Sequence, residues 1–274
     1  MNLKNKIIQN VMFVLAFVIA LSSCQKIVHP ALPADYPKDA NPPGGPLKFY
    51  AALDGTSVDS IRANFGAENN VTWIDGISGK AYQGSPTSYI SYGKPNDFAN
   101  STSFTIAFWV KKTPQAAGSG TNFAFSLNAK GYSWTNTKLF LEFEDAGNPS
   151  TTAMAAAKFY VDDQWVEYTK HTASDDRMPN VLDGSWHHLA FTYDETNSNL
   201  VSYIDGVLFK TNTIGTLGAA DFSNFTDFTI GGPNQYTHDQ NTWMGFFDGA
   251  IDQFRLYSTV LSPADIAALY ANKE

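Results

Sequence analysis

The feature that most limits what this chain can become is a two-residue rhythm of apolar side chains, repeated segment after segment between polar turns. "SFTIAFWVKK" (103–112) shows it cleanly: Phe104, Ile106, Phe108 and Val110 alternate with Thr105, Ala107, Trp109 and Lys111. Successive side chains of a strand point to opposite sheet faces, so this spacing offers one face to a core. "KLFLEFED", "AAKFYVDD", "WVEYTK", "HHLAFTYD", "LVSYIDGVLFK", "FTDFTIGG" and "GAIDQFRLYS" follow, with Gly-, Asn- and Ser-rich loops between them. Asp205-Gly206, between "VSYI" and "VLFK", is a two-residue hairpin signal. Many short strands at regular spacing predict an all-β sandwich or barrel.

One helix is written at the end, in "VLSPADIAALY". Ser262 is a capping residue, Pro263 takes the first helical position and Asp265 makes the first turn acidic. Leu261 and Ile266 have the spacing of a hydrophobic staple.

The pair His187-His188 in "DGSWHHLAFTYD" invites a metal or catalytic reading, and alternation argues against it. His187 shares a face with Leu189, Phe191 and Tyr193, whereas Trp186, His188, Ala190 and Thr192 point the other way. Two histidines on opposite faces do not converge on one ion, and no HExxH is present. The pair is expected to be structural.

The first residues set apart a different region. Lys4 and Lys6 precede an apolar run from Val11 to Leu21, too short for a membrane span of roughly 20 residues and suited to a secretory signal over 1–23. Leu21-Ser22-Ser23-Cys24 resembles the lipobox of bacterial lipoproteins, which implies that Cys24, the chain's single cysteine, is acylated. Residues 24–46 hold six of the 13 prolines and read as a semi-extended tether. Residues 47–274 have the composition of one globular domain. The expected location is the bacterial cell envelope, lipid-anchored at the outer membrane. Net charge is −8, and loss of Lys4 and Lys6 with the signal would make it −10. That balance argues against nucleic acid as a partner and is compatible with neutral ligands and divalent cations.

Taken in order, "SGKAYQGSPTSYISYG", "FTIAFWVK", "GSWHHLAFTYD", "SYIDGVLF", "FTIGG" and "GFFDGAIDQFRLYSTVLSPADIAALY" resemble the concanavalin A-like lectin/glucanase superfamily, in its laminin-G-like (LamG) branch. The resemblance covers roughly residues 47–272. It implies a jellyroll: two antiparallel sheets of about six or seven strands packed face to face, one concave and one convex. It also implies a structural calcium near the meeting of the first and last strands, at Asp54 and Asp252, with Asp59 as a third candidate ligand. Fold does not imply function, so the site has to be argued from its own residues.

Laminarinase-like hydrolases of the superfamily carry Glu-x-Asp-x-x-Glu on one strand. The only match is "LEFEDAGN", where Glu142 and Glu144 share a face but Ala146 and Gly147 stand where the second acid is needed. Catalysis is therefore not the expectation, and a glycoside hydrolase or lyase is the lesser alternative. Sugar rings stack on Trp and Tyr while Asn, Asp, Gln and Lys satisfy their hydroxyls. "NAKGYSWTNTK" offers Trp134, "DDQWVEY" offers Trp165, and "GGPNQYTHDQNTW" offers Tyr236, His238, Asn241 and Trp243. The expected function is a non-catalytic surface lipoprotein that captures a polysaccharide or glycoconjugate, working beside outer-membrane glycan-uptake proteins. The competing class is a protein-binding adhesion module.

Overall fold

The computed structural model describes residues 44–93, 95–115, 120–129, 137–144, 151, 153–170 and 175–273. The signal segment, Cys24, the tether up to residue 43 and Trp134 lie outside the described residues. Among the described residues no helix is long and apolar enough to cross a membrane.

Among the described residues twenty strands, numbered along the chain, form one small pair and two large sheets of ten and eight strands, more than the expected six or seven because two- and three-residue segments extend the edges. The first sheet holds β1 (Leu47–Ala51), β2 (Val58–Asp59), β3 (Asn64–Phe65), β5 (Thr72–Asp75), β6 (Lys80–Gln83), β8 (Phe104–Lys111), β15 (Trp186–Asp194), β16 (Asn199–Ile204), β17 (Val207–Thr213) and β20 (Ala250–Tyr257). Its order is β17-β16-β15-β8-β20-β1-β2-β3, with β6 on β20 and β5 on β6. The second holds β4 (Ala67–Asn69), β7 (Tyr89–Tyr92), β9 (Thr121–Ala129), β10 (Thr137–Phe143), β12 (Ala157–Val161), β13 (Gln164–Tyr168), β18 (Phe225–Ile230) and β19 (Met244–Phe246). Its order is β13-β12-β10-β9-β18-β7-β4, and β19 runs parallel against the start of β9. The remaining pair is β11 (Met154–Ala155) with β14 (Met178–Pro179).

The core lies between the two large sheets and is aromatic. Phe108 and Phe254 of the first sheet stack at 5.2 Å, and Phe125 of the second meets Phe254 edge-on at 5.3 Å. Phe49 meets Phe228 at 5.2 Å and Phe159 meets Phe191 at 4.7 Å. These are the inward residues of the alternating strands, so the two-residue rhythm is what supplies both core faces.

The outer side of the first sheet is roofed by α2 (Pro263–Ala271), which follows α1 (Gln235–Gln240) in the chain. Ser262 caps α2 as the sequence predicts: its hydroxyl accepts from Asp265 N, and Asp265 Oδ2 accepts from Ser262 N at 3.0 Å. Ile266 is buried with Ala107, Ala190 and Tyr203, and Leu261 packs against them. Tyr270 stacks on Trp109 at 5.5 Å, and His188 lies edge-on to Trp109 at 5.3 Å. The Asp205-Gly206 turn passes directly under this helix. Both residues have positive φ, +52° and +78°, and a Cβ on Gly206 would press on Ala267 and Tyr270.

The histidine pair is built into this scaffold. His187 places Nδ1 2.8 Å from Asp205 Oδ2 and Nε2 3.1 Å from Asp183 Oδ1, and the Asp205 bond leads in raising its pKa. His188 is fully buried on the opposite face, with neither ring nitrogen partnered, and burial pushes its pKa down to about 3. The two side chains converge on nothing in common.

Candidate functional site

The second sheet carries an aromatic layer on its outer side as well. Phe140 on β10, Tyr160 on β12 and Trp165 on β13 are register neighbours, so the pleat turns all three outward. Phe140 and Tyr160 stack at 4.8 Å with their rings 10° from parallel, and Trp165 meets Phe140 at 5.4 Å and Tyr160 at 4.8 Å. Phe123 joins from β9, 4.9 Å from Phe140. Strict alternation from Phe125, an inward residue, would place Phe123 inward too. A register shift at Ala124 prevents that: Leu141 pairs with Phe125 but Glu142 pairs with Phe123, which turns Phe123 outward. Trp243, just before β19, closes the other end of the layer at 5.8 Å from Phe123.

Phe123, Phe140, Tyr160 and Met244 are buried as the floor of this face. The two tryptophans above them are not: Trp165 is 39% exposed and Trp243 is 42% exposed. They stand on β13 and just before β19, at opposite ends of the floor, linked across it by ring contacts of 5.4 Å (Trp165–Phe140), 4.9 Å (Phe140–Phe123) and 5.8 Å (Phe123–Trp243). Two indoles so placed over one apolar floor suit an extended ligand with alternating apolar and hydroxylated faces.

A charged rung lies next to the aromatic one. Glu142, Lys158 and Glu167 pair across β10, β12 and β13, and Lys158 reaches both Glu144 and Glu167 as well as the Trp165 ring, 5.7 Å from its ammonium. Glu142 is buried with Oε2 unpartnered, and its pKa is pushed up to about 8 by burial first and by Glu144 second. Glu142 and Glu144 lie near enough for the charge of one to disfavour ionisation of the other.

The polar stretch "GGPNQYTHDQNTW", which carries no helical periodicity, contains α1. Asn234 caps it, its Oδ1 accepting from Tyr236 N at 2.8 Å and Thr237 N at 3.4 Å. Asn234 and Asn128 both donate to Asp227, so these two asparagines brace the helix against β18 and β9. Tyr236 is exposed on α1. Asn241 ends the helix, donating from Nδ2 to Thr237 O at 3.0 Å. His238 bonds Met244 O through Nδ1 at 2.7 Å and lies 4.7 Å from the Phe246 ring. The structure thus gathers His238, Asn241 and Trp243 around β19 and sets Trp165 at the far end of the aromatic layer. Alternation does not mark Phe140 and Tyr160 as floor residues, because β10 and β12 are buried on both faces, and Phe123 is turned outward only by the register shift.

The calcium candidates separate. Asp54 Oδ1 accepts from Lys80 N at 2.7 Å and Asp252 Oδ2 from Ile77 N at 2.8 Å, so one loop, residues 75–80, binds both carboxylates. A Cβ on Gly76 would collide with Asp252 and one on Gly79 with Asp54. A bulge at Gln253 (φ +49°) aims Asp252 at this loop. Asp252 is buried, its Oδ1 has no partner, and burial pushes its pKa up to about 6 against the backbone N–H groups that hold it down. An orphaned carboxylate oxygen on a loop that also binds a second carboxylate has the donor chemistry a hard divalent cation takes. Among the described residues no three acidic, His or Cys side chains form such a group. Asp59 sits elsewhere, accepting from Tyr50 N, Ile61 N and Asn96 Nδ2.

Comparison with known proteins places this geometry. The family model described as the concanavalin A-like lectin/glucanases superfamily matches residues 83–267. The sushi, von Willebrand factor type A, EGF and pentraxin domain-containing protein 1 of Rattus norvegicus is 26% identical over 165 residues, 60% of this chain but only 4% of that protein's length. Domain 4 of AbnA, a GH43 extracellular arabinanase from Geobacillus stearothermophilus solved with arabinotriose, aligns with a TM-score of 0.53 at 21% identity, over 82% of this chain and 98% of that one. The binding domain of botulinum neurotoxin DC, solved with rat synaptotagmin II, aligns with a TM-score of 0.57 at 14% identity, over 84% of this chain and 52% of that one.

Proposed function

Since the chain belongs to the concanavalin A-like lectin/glucanases superfamily, we propose that its domain holds a glycan chain on the outer face of the second sheet and does not cut it. The observation that carries this is the pair of half-exposed indoles, Trp165 and Trp243, at opposite ends of one buried aromatic floor. Carbohydrate stacking needs that arrangement, and a packed core does not. The arabinanase domain, a neighbour of the same fold, was solved in complex with arabinotriose. Ala146 and Gly147, standing where the hydrolase pattern needs a further acid, speak against a hydrolytic pair.

Titration calorimetry against soluble oligosaccharides tests the proposal. Dissociation constants of roughly micromolar to millimolar are expected, about −8 to −4 kcal/mol, with no reducing ends or unsaturated products on long incubation. Product release lost in Glu142→Gln would overturn the non-catalytic reading. The neurotoxin neighbour, solved with a protein, supports the adhesion alternative. Silence across the glycans with a protein recovered in its place would decide for it.

Two further parts of the proposal concern attachment and metal. Cys24 carries a lipid that fixes the domain to the cell envelope, where several tethered copies hold a polymer by avidity beside glycan-uptake proteins. Cys24→Ser should abolish palmitate labelling, and equal labelling would refute the anchor. Asp54 and Asp252 hold calcium as a structural ion. EDTA should then lower the melting temperature and Ca²⁺ restore it, by about 2.7 kcal/mol at 100 times Kd, with Asp252→Asn indifferent to both.

A further inference from the structure

Beside Trp243, at the end of the sandwich where β19 pairs with β9, lies a cleft of about 280 Å³ lined by Gln115, Asn122, His238, Gly245, Phe246 and Asp248. It falls just short of the roughly 300–1,000 Å³ typical of small-molecule sites, and offers room for one sugar ring rather than a chain. Its floor is apolar: Phe246 stacks on Tyr89 at 5.2 Å with the rings 14° apart. Gly245 keeps it open, since β19 approaches β9 so closely that a Cβ there would strike Thr121 O.

The polar groups of the cleft have their unused capacity fixed by what lies behind them. Buried Lys112 donates from Nζ to Asn122 Oδ1 at 2.8 Å and to Asp248 O at 2.6 Å. That bond settles the amide of Asn122 with its oxygen on the ammonium, which leaves Nδ2, beside Gly245, as a donor without a partner among the described residues. The carbonyl of Met244 only accepts, so His238 carries its proton on Nδ1 and keeps Nε2 as an acceptor. Gln115 spends Nε2 on Gly120 O, and its Oε1 is buried with no partner among the described residues. The Asp248 carboxylate is exposed and bonds no described residue. The cleft therefore presents three acceptor groups, one of them an anion, against one donor.

We propose that this cleft is a subsite for a single uncharged sugar residue, a branch or chain end, of the glycan held on the adjoining tryptophan face. Hydroxyls donate to acceptors, so a carboxylate such as Asp248 takes two vicinal hydroxyls while Asn122 Nδ2 donates to a ring or hydroxyl oxygen. A uronic acid or a sulfated residue brings its own acceptors and a like charge, and is excluded by both. The buried Gln115 Oε1 gains the partner it lacks, which leaving it unmade would cost. This rests on the glycan reading above, and it adds the class: neutral residues, read at one end by a carboxylate.

The test uses arabinan, β-glucan and galactan oligosaccharides beside oligogalacturonides of matched length, titrated into wild type, Asp248→Asn and Trp165→Ala. Wild type should bind at least one neutral series, with Asp248→Asn at least tenfold weaker and its melting temperature unchanged, because the carboxylate bonds nothing in the fold. Asp248→Asn should also narrow the gap between neutral and acidic ligands. Neutral binding weakened by Trp165→Ala but untouched by Asp248→Asn would overturn the subsite and leave the tryptophan face standing. A wild-type preference for oligogalacturonides would overturn it as well. Absence of binding to every series would sink the glycan reading itself and the subsite with it.

Discussion

On the outer side of the first sheet, Trp109, His188 and Tyr203 lie beneath α2; on the outer side of the second, Phe123, Phe140 and Tyr160 lie beneath Trp165 and Trp243. Both faces are aromatic, and both bury their floor. They differ in the roof. The first is closed by nine residues of capped helix whose own apolar side chain, Ile266, is buried with the sheet. The second is roofed by two separate indoles that remain about two-fifths exposed. A face sealed by its own chain is a second core, whereas a face topped by half-exposed rings is a surface on which something else can lie.

The largest effects should fall on the floors. Phe140→Ala should cost about 3–5 kcal/mol and also abolish glycan binding, since it removes the support of Trp165. Ile266→Ala on the other face should cost about 2–5 kcal/mol with binding unchanged. Denaturant melts and calorimetry on both variants check this, and equal effects on binding would erase the contrast between the faces.

The next effect belongs to the sealed face alone. His188 has its pKa pushed down to about 3, so the folded state refuses a proton that the unfolded chain accepts near 6.5. Stability should fall as pH drops below about 6.5, by roughly 2 kcal/mol between pH 7 and pH 5. His187 works in the opposite sense: its raised pKa contributes stability that is complete below about 6.5 and is lost as pH climbs through the folded value. His188→Phe should flatten the acid limb of the pH profile and leave glycan binding at pH 7 as it was. An acid limb that survives His188→Phe would show that α2 does not seal the face as described.

The smallest stability effects should come from the roof of the second face. Trp165→Ala and Trp243→Ala should each cost roughly 1 to 2 kcal/mol in stability, yet weaken oligosaccharide binding at least tenfold. Chemical melts read against titration calorimetry separate the two. A loss of stability as large as that of Phe140→Ala would make these rings part of the fold and remove the surface.

Much of this was legible from the residues. The alternation in "SFTIAFWVKK" placed Phe108 in the core, the capping pair Ser262 and Asp265 set the start of α2, and opposite faces separated His187 from His188. The aromatic floor was not legible, for two physical reasons. Leu139, Phe140 and Leu141 are all buried, so period two gives no inside and outside on β10. The outward turn of Phe123 depends on a single extra residue at Ala124, which no local pattern announces. Likewise α1 rests on Asn234 as a cap inside a stretch that reads as polar loop, and Asp248 becomes part of a cleft only through the return of β19 to β9.

The place of β20 has a consequence in time. It lies between β8 and β1, with Leu47 paired to Tyr257, so the first strand of the sandwich waits for the last before it has a neighbour on that side. Sheets closed by such distant pairings pay loop entropy before contacts reward it, and they fold in milliseconds to seconds rather than microseconds. Until Ala250–Tyr257 has been made, β1 and β8 both present unpaired edges in what becomes the middle of a sheet. A chain of this design is finished first and folded afterwards, and a nascent chain stopped short of β20 is an aggregation hazard rather than a smaller domain.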